Sequence, residues 1–245
     1  MAQFNIVHIY PDLMNLYGDR GNLICIKRRI EWYGYKCNIK TIRLREEIDY
    51  DNMDMLFMGG GSDREQELVY QDLLTRADKL KEMIEQGLPV LCICGAYQLL
   101  GTSYRAIDGT VMDGLGFFDF HTIGQPTRLI GNILIECQIE NEKIEVVGFE
   151  NHGGRTFLDN PDLRPLGKVI KGSGNNGVDG TEGIKYQNLI GTYLHGPFLP
   201  KNPAVADWYI TSMAKRKNLT LINHLNDEIE NFAREQVKNK ILAKH

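Results

Sequence analysis

The segment at residues 87–101 constrains the fold of this chain more than any other. Residues 89–93 form a short apolar run, the pattern of a strand that is buried on both faces. The run ends at Cys94, Gly95 and Ala96, after which apolar residues return at helical spacing. A strand that turns sharply into a helix at a cysteine, beside small residues, is typical of a nucleophile elbow. The segment therefore predicts a strand, a tight turn at Cys94 and a helix.

The predicted turn would make Cys94 a reactive thiol. The start of the following helix offers unpaired backbone N–H groups and the positive end of the helix dipole. Both favour a thiolate at Cys94 and an oxyanion near Gly95. The alternative is a buried structural cysteine, a role that suits Cys92, on the same face of the strand. The elbow is favoured because a turn at Gly95 and Ala96 does not need a cysteine.

The remaining pattern predicts an α/β fold. Strands are predicted at 4–10, 37–44 and 53–58, and helices at 23–35 and 65–86. This order favours a mostly parallel central sheet flanked by helices. From about Gly109, short glycine-punctuated strands predict a mainly antiparallel continuation of the sheet, and helices follow at 203–217 and 227–242. We divide the chain into a main domain at residues 1–202 and a C-terminal helical extension at residues 203–245.

The composition indicates an ordinary cytoplasmic protein. A net charge of -4 and a pI near 5.9 do not support binding to nucleic acid or to anionic membranes. The N-terminus has no basic-then-apolar signal, and no apolar run is long enough to span a bilayer. The five cysteines lack the spacing of a zinc site, so we expect free thiols and no metal.

A candidate base for Cys94 is the histidine that follows an apolar strand at 189–194. Of the six histidines, His195 alone stands at such a strand end and directly before Gly196 and Pro197. Ligands in open α/β sheets bind at strand ends, which makes His195 the best candidate on position. A structural histidine that packs the strand end is the competing interpretation.

Three consecutive glycines follow the strand at 53–58. Gly60 and Gly61 could cradle phosphate, but no lysine follows as in a P-loop, and Asp63 and Glu65 place negative charge there. An oxyanion loop, in which a backbone N–H approaches the substrate carbonyl, fits better. A plain tight turn is the alternative, although it needs fewer glycines.

Four motifs in order resemble class I glutamine amidotransferases, which implies their flavodoxin-like fold. Residues 94–98 resemble the nucleophile motif of that family, and residues 59–63 resemble its oxyanion loop. Residues 148–156 and 191–197 are similar to its cobyric-acid-synthase-like (CobB/CobQ-like) branch. The resemblance runs from about Tyr10 to Pro203, includes the loop at 16–22, and is strongest to the glutaminase subunits of lipid II isoglutaminyl synthases.

The resemblance implies a role for each matching residue. Cys94 would attack the side-chain amide of glutamine, and His195 would take the thiol proton and later protonate the departing ammonia. The N–H groups of Gly60 or Gly61, together with that of Gly95, would bind the oxyanion.

Two further residues are implied in substrate binding. Arg128 would hold the α-carboxylate of glutamine bidentately, unless it is a surface arginine before a strand. Gln98 would help to hold the substrate or the elbow. His152 and Arg155 lie in a family motif, without an assigned step.

One departure from the family concerns the third member of the catalytic array. Many class I enzymes carry a glutamate two residues after the histidine, where this chain has Pro197. We therefore expect a Cys94–His195 dyad without a local orienting acid. The missing carboxylate would come from a partner subunit or from a distant residue of this chain.

The resemblance also implies a partner. A Mur-ligase-like synthetase subunit, MurT, would bind ATP and Mg²⁺ and use the ammonia to amidate the α-carboxyl of D-glutamate in lipid II, at the inner face of the membrane. This chain would carry no cofactor itself. The open alternatives are a glutaminase for another acceptor, such as a cobyrinic-acid-type corrinoid, a related cysteine hydrolase, and a non-catalytic binding module.

Overall fold

The computed structural model describes residues 2–221 and 224–243 and has an α/β architecture, as predicted. Its strands are β1 (Gln3–Ile9), β2 (Lys36–Ile42), β3 (Met55–Met58), β4 (Val90–Ile93), β5 (Ser103–Arg105), β6 (Val111–Asp113), β7 (Phe120–Ile139), β8 (Glu142–Leu158), β9 (Gly167–Lys171), β10 (Thr181–Glu182), β11 (Ile184–Tyr186), β12 (Leu189–Thr192) and β13 (Leu194–His195). Its α-helices are α1 (Arg20–Trp32), α2 (Asp63–Leu74), α3 (Ala77–Glu85), α4 (Gly95–Leu99), α5 (Pro203–Arg216) and α6 (Glu228–Leu242).

The central sheet brings the sequence motifs to one edge. In the described part of the chain it has six strands in the order β11-β12-β4-β3-β1-β2, parallel except for β11. The elbow strand β4 lies between β3 and β12 and is buried throughout. Because these three strands are parallel, the glycine loop after β3, Cys94 after β4 and the segment after β12 meet at their carboxyl ends.

Most of the antiparallel strands pair in a second sheet rather than at the edge of the first. Among the described strands, only β11 extends the central sheet in the antiparallel direction. The long hairpin of β7 and β8 dominates the second sheet, and β13 pairs with β8. The chain therefore passes from one sheet to the other between Thr192 and Leu194, immediately before His195.

The prediction of one helix at 65–86 is wrong, because the chain breaks between α2 and α3. The Thr75 hydroxyl donates to the carbonyl of Asp72 over 2.7 Å, which ends α2. The Arg76 Nε donates to the Asp72 carboxylate over 2.9 Å, and the Tyr10 hydroxyl donates to the same carboxylate over 2.6 Å. These contacts tie the break to the end of β1. Helix α1 also begins at Arg20, ahead of the predicted start.

Apolar side chains fill both faces of the central sheet. Helices α1 and α5 and part of the second sheet cover one face, and α2 and α3 cover the other. On α5, Val205, Tyr209 and Met213 are fully buried, and the Tyr209 hydroxyl donates to the Val90 carbonyl over 2.8 Å. Helix α5 thus packs into the core of the main domain, although the boundary after residue 202 stays a prediction. Residues 222, 223, 244 and 245 of the predicted extension lie outside the described residues.

A buried arginine joins α1 to both C-terminal helices. Arg29 is 2% exposed and donates to both carboxylate oxygens of Asp207 over 2.7 Å and to those of Asp227 over 2.7 and 2.9 Å. Replacing Arg29 with methionine would leave two carboxylates unpaired, so we expect the free energy of unfolding in urea to fall by about 3 kcal/mol. Arg28→Met is the matched control, since Arg28 is exposed and pairs with Glu31. Equal losses in the two variants would contradict the assignment.

Candidate active site

Cys94 occupies a strained turn between β4 and α4. Its backbone has φ 53° and ψ −108°, a conformation that non-glycine residues rarely adopt. Its N–H donates to the carbonyl of Thr192 over 2.8 Å, and its carbonyl accepts from the N–H of Gln98 over 2.9 Å. The strand, turn and helix predicted around Cys94 are therefore present, and the parallel neighbour β12 holds the turn.

His195 lies between Cys94 and a buried carboxylate. Its ring hydrogen-bonds the Cys94 side chain, and its Nδ1 lies 3.0 Å from Oδ1 of Asp19. His195 is 1% exposed and Asp19 is fully buried. Of the two sources expected for an orienting carboxylate, a partner subunit or a distant residue of this chain, the structure shows the second. Asp19 precedes α1, 176 positions before His195, and faces its ring from a distant part of this chain.

The contacts of His195 favour its charged form. Burial lowers the pKa of the imidazole, but the hydrogen bonds and charges of Asp19 and Cys94 outweigh it and raise the pKa to about 10. His195 is therefore protonated through the neutral range when Cys94 is a thiolate. This is the ion pair that activates cysteine nucleophiles.

Gly60 lies against all three members of this array. A Cβ on Gly60 would stand 3.3 Å from Cβ of Cys94, 3.5 Å from Cε1 of His195 and 3.6 Å from Oδ2 of Asp19. Its N–H donates to that Oδ2 over 3.3 Å. Of the two glycines considered for the oxyanion loop, Gly60 thus has its N–H turned toward Asp19.

Gly61 and Gly95 bring two backbone segments together beside the nucleophile. The backbone N of Gly61 is 3.1 Å from where a Cβ of Gly95 would stand. Gly95 is the first residue of α4, where helical N–H groups have no partner within the helix. Behind this pair, a Cβ on Gly61 would meet Sδ of Met14 at 2.4 Å, so the loop is packed tightly in place.

Gln98 is held at both ends of its side-chain amide. Its Oε1 accepts from Nε2 of Gln66 over 3.1 Å, and its Nε2 donates to the hydroxyl of Tyr193 over 3.0 Å. Gln98 is 5% exposed. It therefore braces α4 against α2 and against the segment that leads to His195, and it also lines the adjoining pocket.

A cavity of about 510 Å³ opens beside Cys94 and is large enough for an amino acid. Side chains from the oxyanion loop, from α4 and from the long hairpin share its wall, among them Cys94, Gln98, Arg128 and His152. The pocket therefore combines a nucleophile with polar groups from the second sheet and from the helices and loops that follow the central strands.

Arg128 reaches this pocket from an irregularity in β7. The register between β7 and β8 shifts between Gly124 and Leu129, which displaces the residues in between. The Arg128 Nε donates to Oδ1 of Asn151 over 2.8 Å, and Nη2 donates to the Asn151 carbonyl over 2.6 Å. Asn151 thus orients the guanidinium at the pocket wall.

His152 lies in a family motif, and the sequence assigns it no catalytic step. Its ring is 1% exposed, stacks on Tyr193 at 3.7 Å and directs Nδ1 to the carbonyl of Gly154 over 2.7 Å. Because a carbonyl can only accept, Nδ1 carries the proton and Nε2 is an acceptor. Burial lowers the pKa of His152 to about 3, so the ring is neutral.

Within residues 2–221 and 224–243, no group of three or more His, Cys, Asp or Glu side chains could hold a metal ion. No helix in the same part of the chain has the length and apolar character to cross a bilayer.

Comparison with known proteins places this site in a family. A family model of the CobB/CobQ-like glutamine amidotransferase domain matches residues 5–203. The GatD subunit of the glutamine-hydrolysing lipid II isoglutaminyl synthase of Staphylococcus aureus is 44% identical over 242 residues, which cover 99% of this chain and 96% of that protein. The corresponding subunit of Streptococcus pneumoniae is 39% identical over 218 residues, which cover 88% and 82%.

A solved structure shares the fold at much lower identity. A chain of PurLQS from Thermotoga maritima has a TM-score of 0.59 and 16% identity, and the match covers 89% of this chain and 100% of that one. This likeness bears on the fold alone. The family match spans most of the chain, including β3, the elbow and His195. The chain therefore belongs to the CobB/CobQ-like glutamine amidotransferase family.

Proposed function

We propose that this chain is the glutaminase subunit of a lipid II isoglutaminyl synthase. The observation that carries the proposal is the array of Cys94, His195 and Asp19 beside the backbone N–H groups of Gly61 and Gly95. The identity of 44% to GatD of Staphylococcus aureus supports the choice of acceptor.

The array supplies each proton that amide hydrolysis needs. The thiolate of Cys94 attacks the side-chain amide carbon of glutamine, and the N–H groups of Gly61 and Gly95 stabilise the oxyanion that forms. His195 protonates the amide nitrogen, which leaves as ammonia, and a thioester remains on Cys94. His195 then takes a proton from water, which attacks the thioester and releases glutamate. Asp19 keeps the ring oriented throughout.

Groups around the pocket are suited to hold the remainder of glutamine. Arg128 is the cation for its α-carboxylate, oriented by Asn151. The Nε2 of His152 is a neutral acceptor in the pocket wall. Gln98 acts as a brace, because both ends of its amide are already bound within the protein.

Arg128→Lys tests the carboxylate site. Lysine keeps the charge but loses the planar fork and its contacts with Asn151. We expect KM for glutamine to rise about tenfold while kcat changes little, since the α-carboxylate is bound equally in the ground and transition states. Arg43→Lys is the control, because Arg43 is exposed, pairs with Asp12 and lies outside the pocket. A change in kcat alone would assign Arg128 to the chemical step instead.

The ammonia requires a second subunit with its own active site. We assign that role to a Mur-ligase-like subunit, MurT, which would bind ATP and Mg²⁺ and activate the α-carboxyl of D-glutamate in lipid II. Ammonia would then yield D-isoglutamine, at the inner face of the membrane where lipid II is presented. A cobyrinic-acid-type corrinoid is the alternative acceptor, because the same glutaminase chemistry would serve it.

Reconstitution with isotope-labelled glutamine tests this proposal. The chain would be mixed with the Mur-ligase-like subunit, ATP, Mg²⁺, lipid II and glutamine labelled with ¹⁵N at the side-chain amide. We expect ¹⁵N in the α-amide of D-isoglutamine by mass spectrometry, and no transfer when this chain is left out. Ammonium chloride in place of glutamine should restore amidation without this chain. Transfer to cobyrinic acid but not to lipid II would overturn the choice of acceptor and leave the glutaminase assignment standing.

A further inference from the structure

Glu182 is a fully buried acid that the proposed chemistry does not use. It ends β10, beneath the crossing of the chain from β12 to β13. Its Oε1 accepts from the hydroxyl of Thr192 over 2.6 Å and from the backbone N–H of Tyr193 over 2.7 Å. Its Oε2 has no hydrogen-bond partner among the described residues. A carboxyl group buried at this cost is retained only where its contacts matter to the structure around it.

The contacts of Glu182 define the kink that precedes His195. The hydroxyl of Thr192 donates to Glu182 and accepts from the N–H of Leu194 over 3.1 Å. The Thr192 side chain therefore links Glu182 to the backbone on the far side of the turn. Leu194 and His195 then pair with β8 in the second sheet. The chain leaves the central sheet after Thr192, so the position of His195 depends on this hydrogen-bonded turn.

The same turn holds the nucleophile. The carbonyl of Thr192 accepts the N–H of Cys94, the residue with the strained backbone. Any movement of Thr192 would thus shift both Cys94 and His195, the former through its backbone and the latter through the chain. A shift of about 1 Å between reacting groups is enough to lose much of the rate.

Tyr193 connects Glu182 to residues of the pocket wall. Its backbone N–H is bound by Glu182, its hydroxyl bonds Gln98 and lies 2.7 Å from Oγ1 of Thr156, and its ring stacks on His152. Burial and the nearby charge of Glu150 raise the pKa of Glu182, the bonds from Thr192 and Tyr193 lower it, and the net pKa is about 7. The contacts thus act in favour of an accepting carboxylate.

We propose that Glu182 is a positioning residue for glutamine hydrolysis, acting through Thr192 and Tyr193 to align Cys94 with His195. This inference rests on the proposed glutaminase site. It goes beyond it by assigning the alignment to an acid that touches neither substrate nor the reacting atoms.

The test measures the reactivity of the Cys94 thiol without substrate. Iodoacetamide alkylates thiolates, and tandem mass spectrometry locates the adduct on Cys94 rather than on the buried Cys92. Glu182→Met removes the acceptor at nearly constant volume, and we expect alkylation and kcat each to fall about tenfold. Glu182→Gln keeps an oxygen acceptor and should restore both to within about threefold of the wild type.

Two further variants keep the result decisive. Thr192→Val removes only the hydroxyl that donates to Glu182, so it should slow alkylation even if Glu182→Met fails to fold. Asp54→Asn is the matched control, because Asp54 is buried and bonds Asn5 and Lys217 far from the site. It should lower the melting temperature and leave alkylation unchanged. Wild-type alkylation in folded Glu182→Met or in Thr192→Val would overturn the inference. Alkylation needs neither glutamine nor an acceptor, so this outcome is separate from failure of lipid II amidation.

Discussion

Replacing Cys94 with alanine is expected to reduce glutamine hydrolysis by on the order of 10⁴-fold or more. The array offers no second nucleophile, since His195 and Asp19 are buried, and His195 contacts both Cys94 and Asp19. Without the sulfur, His195 and the N–H groups around Gly95 could at most orient a water molecule. The measurement is ammonia release from glutamine by the purified chain, alone and with the proposed Mur-ligase-like subunit.

The matched control is Cys92→Ala, two residues earlier on the same strand. Cys92 is 1% exposed, and burial raises the pKa of its thiol to about 12, so it is a neutral part of the core at physiological pH. We expect this variant to lose some stability, through a small cavity, and to keep its rate within about threefold. If the two variants lost activity equally, or if Cys94→Ala stayed active, the nucleophile assignment would be wrong.

The contrast between these cysteines was predictable from the sequence, and the reason is local. A run of apolar residues determines a buried strand, and small residues after it determine a tight turn, so the position of Cys94 follows from its neighbours. His195 also stands at a strand end, although the strand predicted at 189–194 is divided into β12 and β13 and His195 is the last residue of β13. The strands β1, β2 and β3 and the helices α5 and α6 also lie within two residues of their predicted bounds.

Features that depend on distant contacts were not predictable in this way. The break between α2 and α3 is tied to the end of β1 by the bond from Tyr10 to Asp72, 62 positions away along the chain. The separate second sheet depends on the crossing at Thr192. The turn of the Gly60 N–H toward Asp19 depends on a residue 41 positions away. In each case spacing along the chain carries no signal, because the partners meet only in the folded protein.

The residues at the start of α1 contact His195 and the segment that follows it, in which Pro197 stands where many class I enzymes have a glutamate. A Cβ on Gly21 would stand 2.5 Å from Cγ of Pro197, and Oδ1 of Asn22 accepts the N–H of Leu199 over 2.7 Å. Asp19, two residues before Gly21, contacts His195. The first turn of α1 thus holds the segment that follows His195. The carboxylate that contacts His195 belongs to Asp19, the residue that precedes this helix.

Asp19→Asn is therefore expected to lower kcat by about 10²- to 10⁴-fold, with little change in KM. Asparagine keeps the size and the bond to Gly60 but removes the charge that favours protonated His195. The raised pKa of His195 should fall, because burial then opposes the imidazolium with less compensation. Alkylation of Cys94 at neutral pH should accordingly be slower, since the imidazolium that pairs with the thiolate is less populated.

The outcome also distinguishes two sources of the orienting acid. Asp12→Asn is the control, because Asp12 is exposed, pairs with Arg43 and belongs to the same segment before α1. If Asp19→Asn kept nearly the full rate in the proposed complex, a carboxylate from the proposed partner would orient His195, and Asp19 would serve only to hold Gly60. If the rate fell equally with and without the partner, the orienting acid is Asp19. The second result is the one we expect, because Asp19 and His195 are both buried within this chain and already lie in hydrogen-bonding contact.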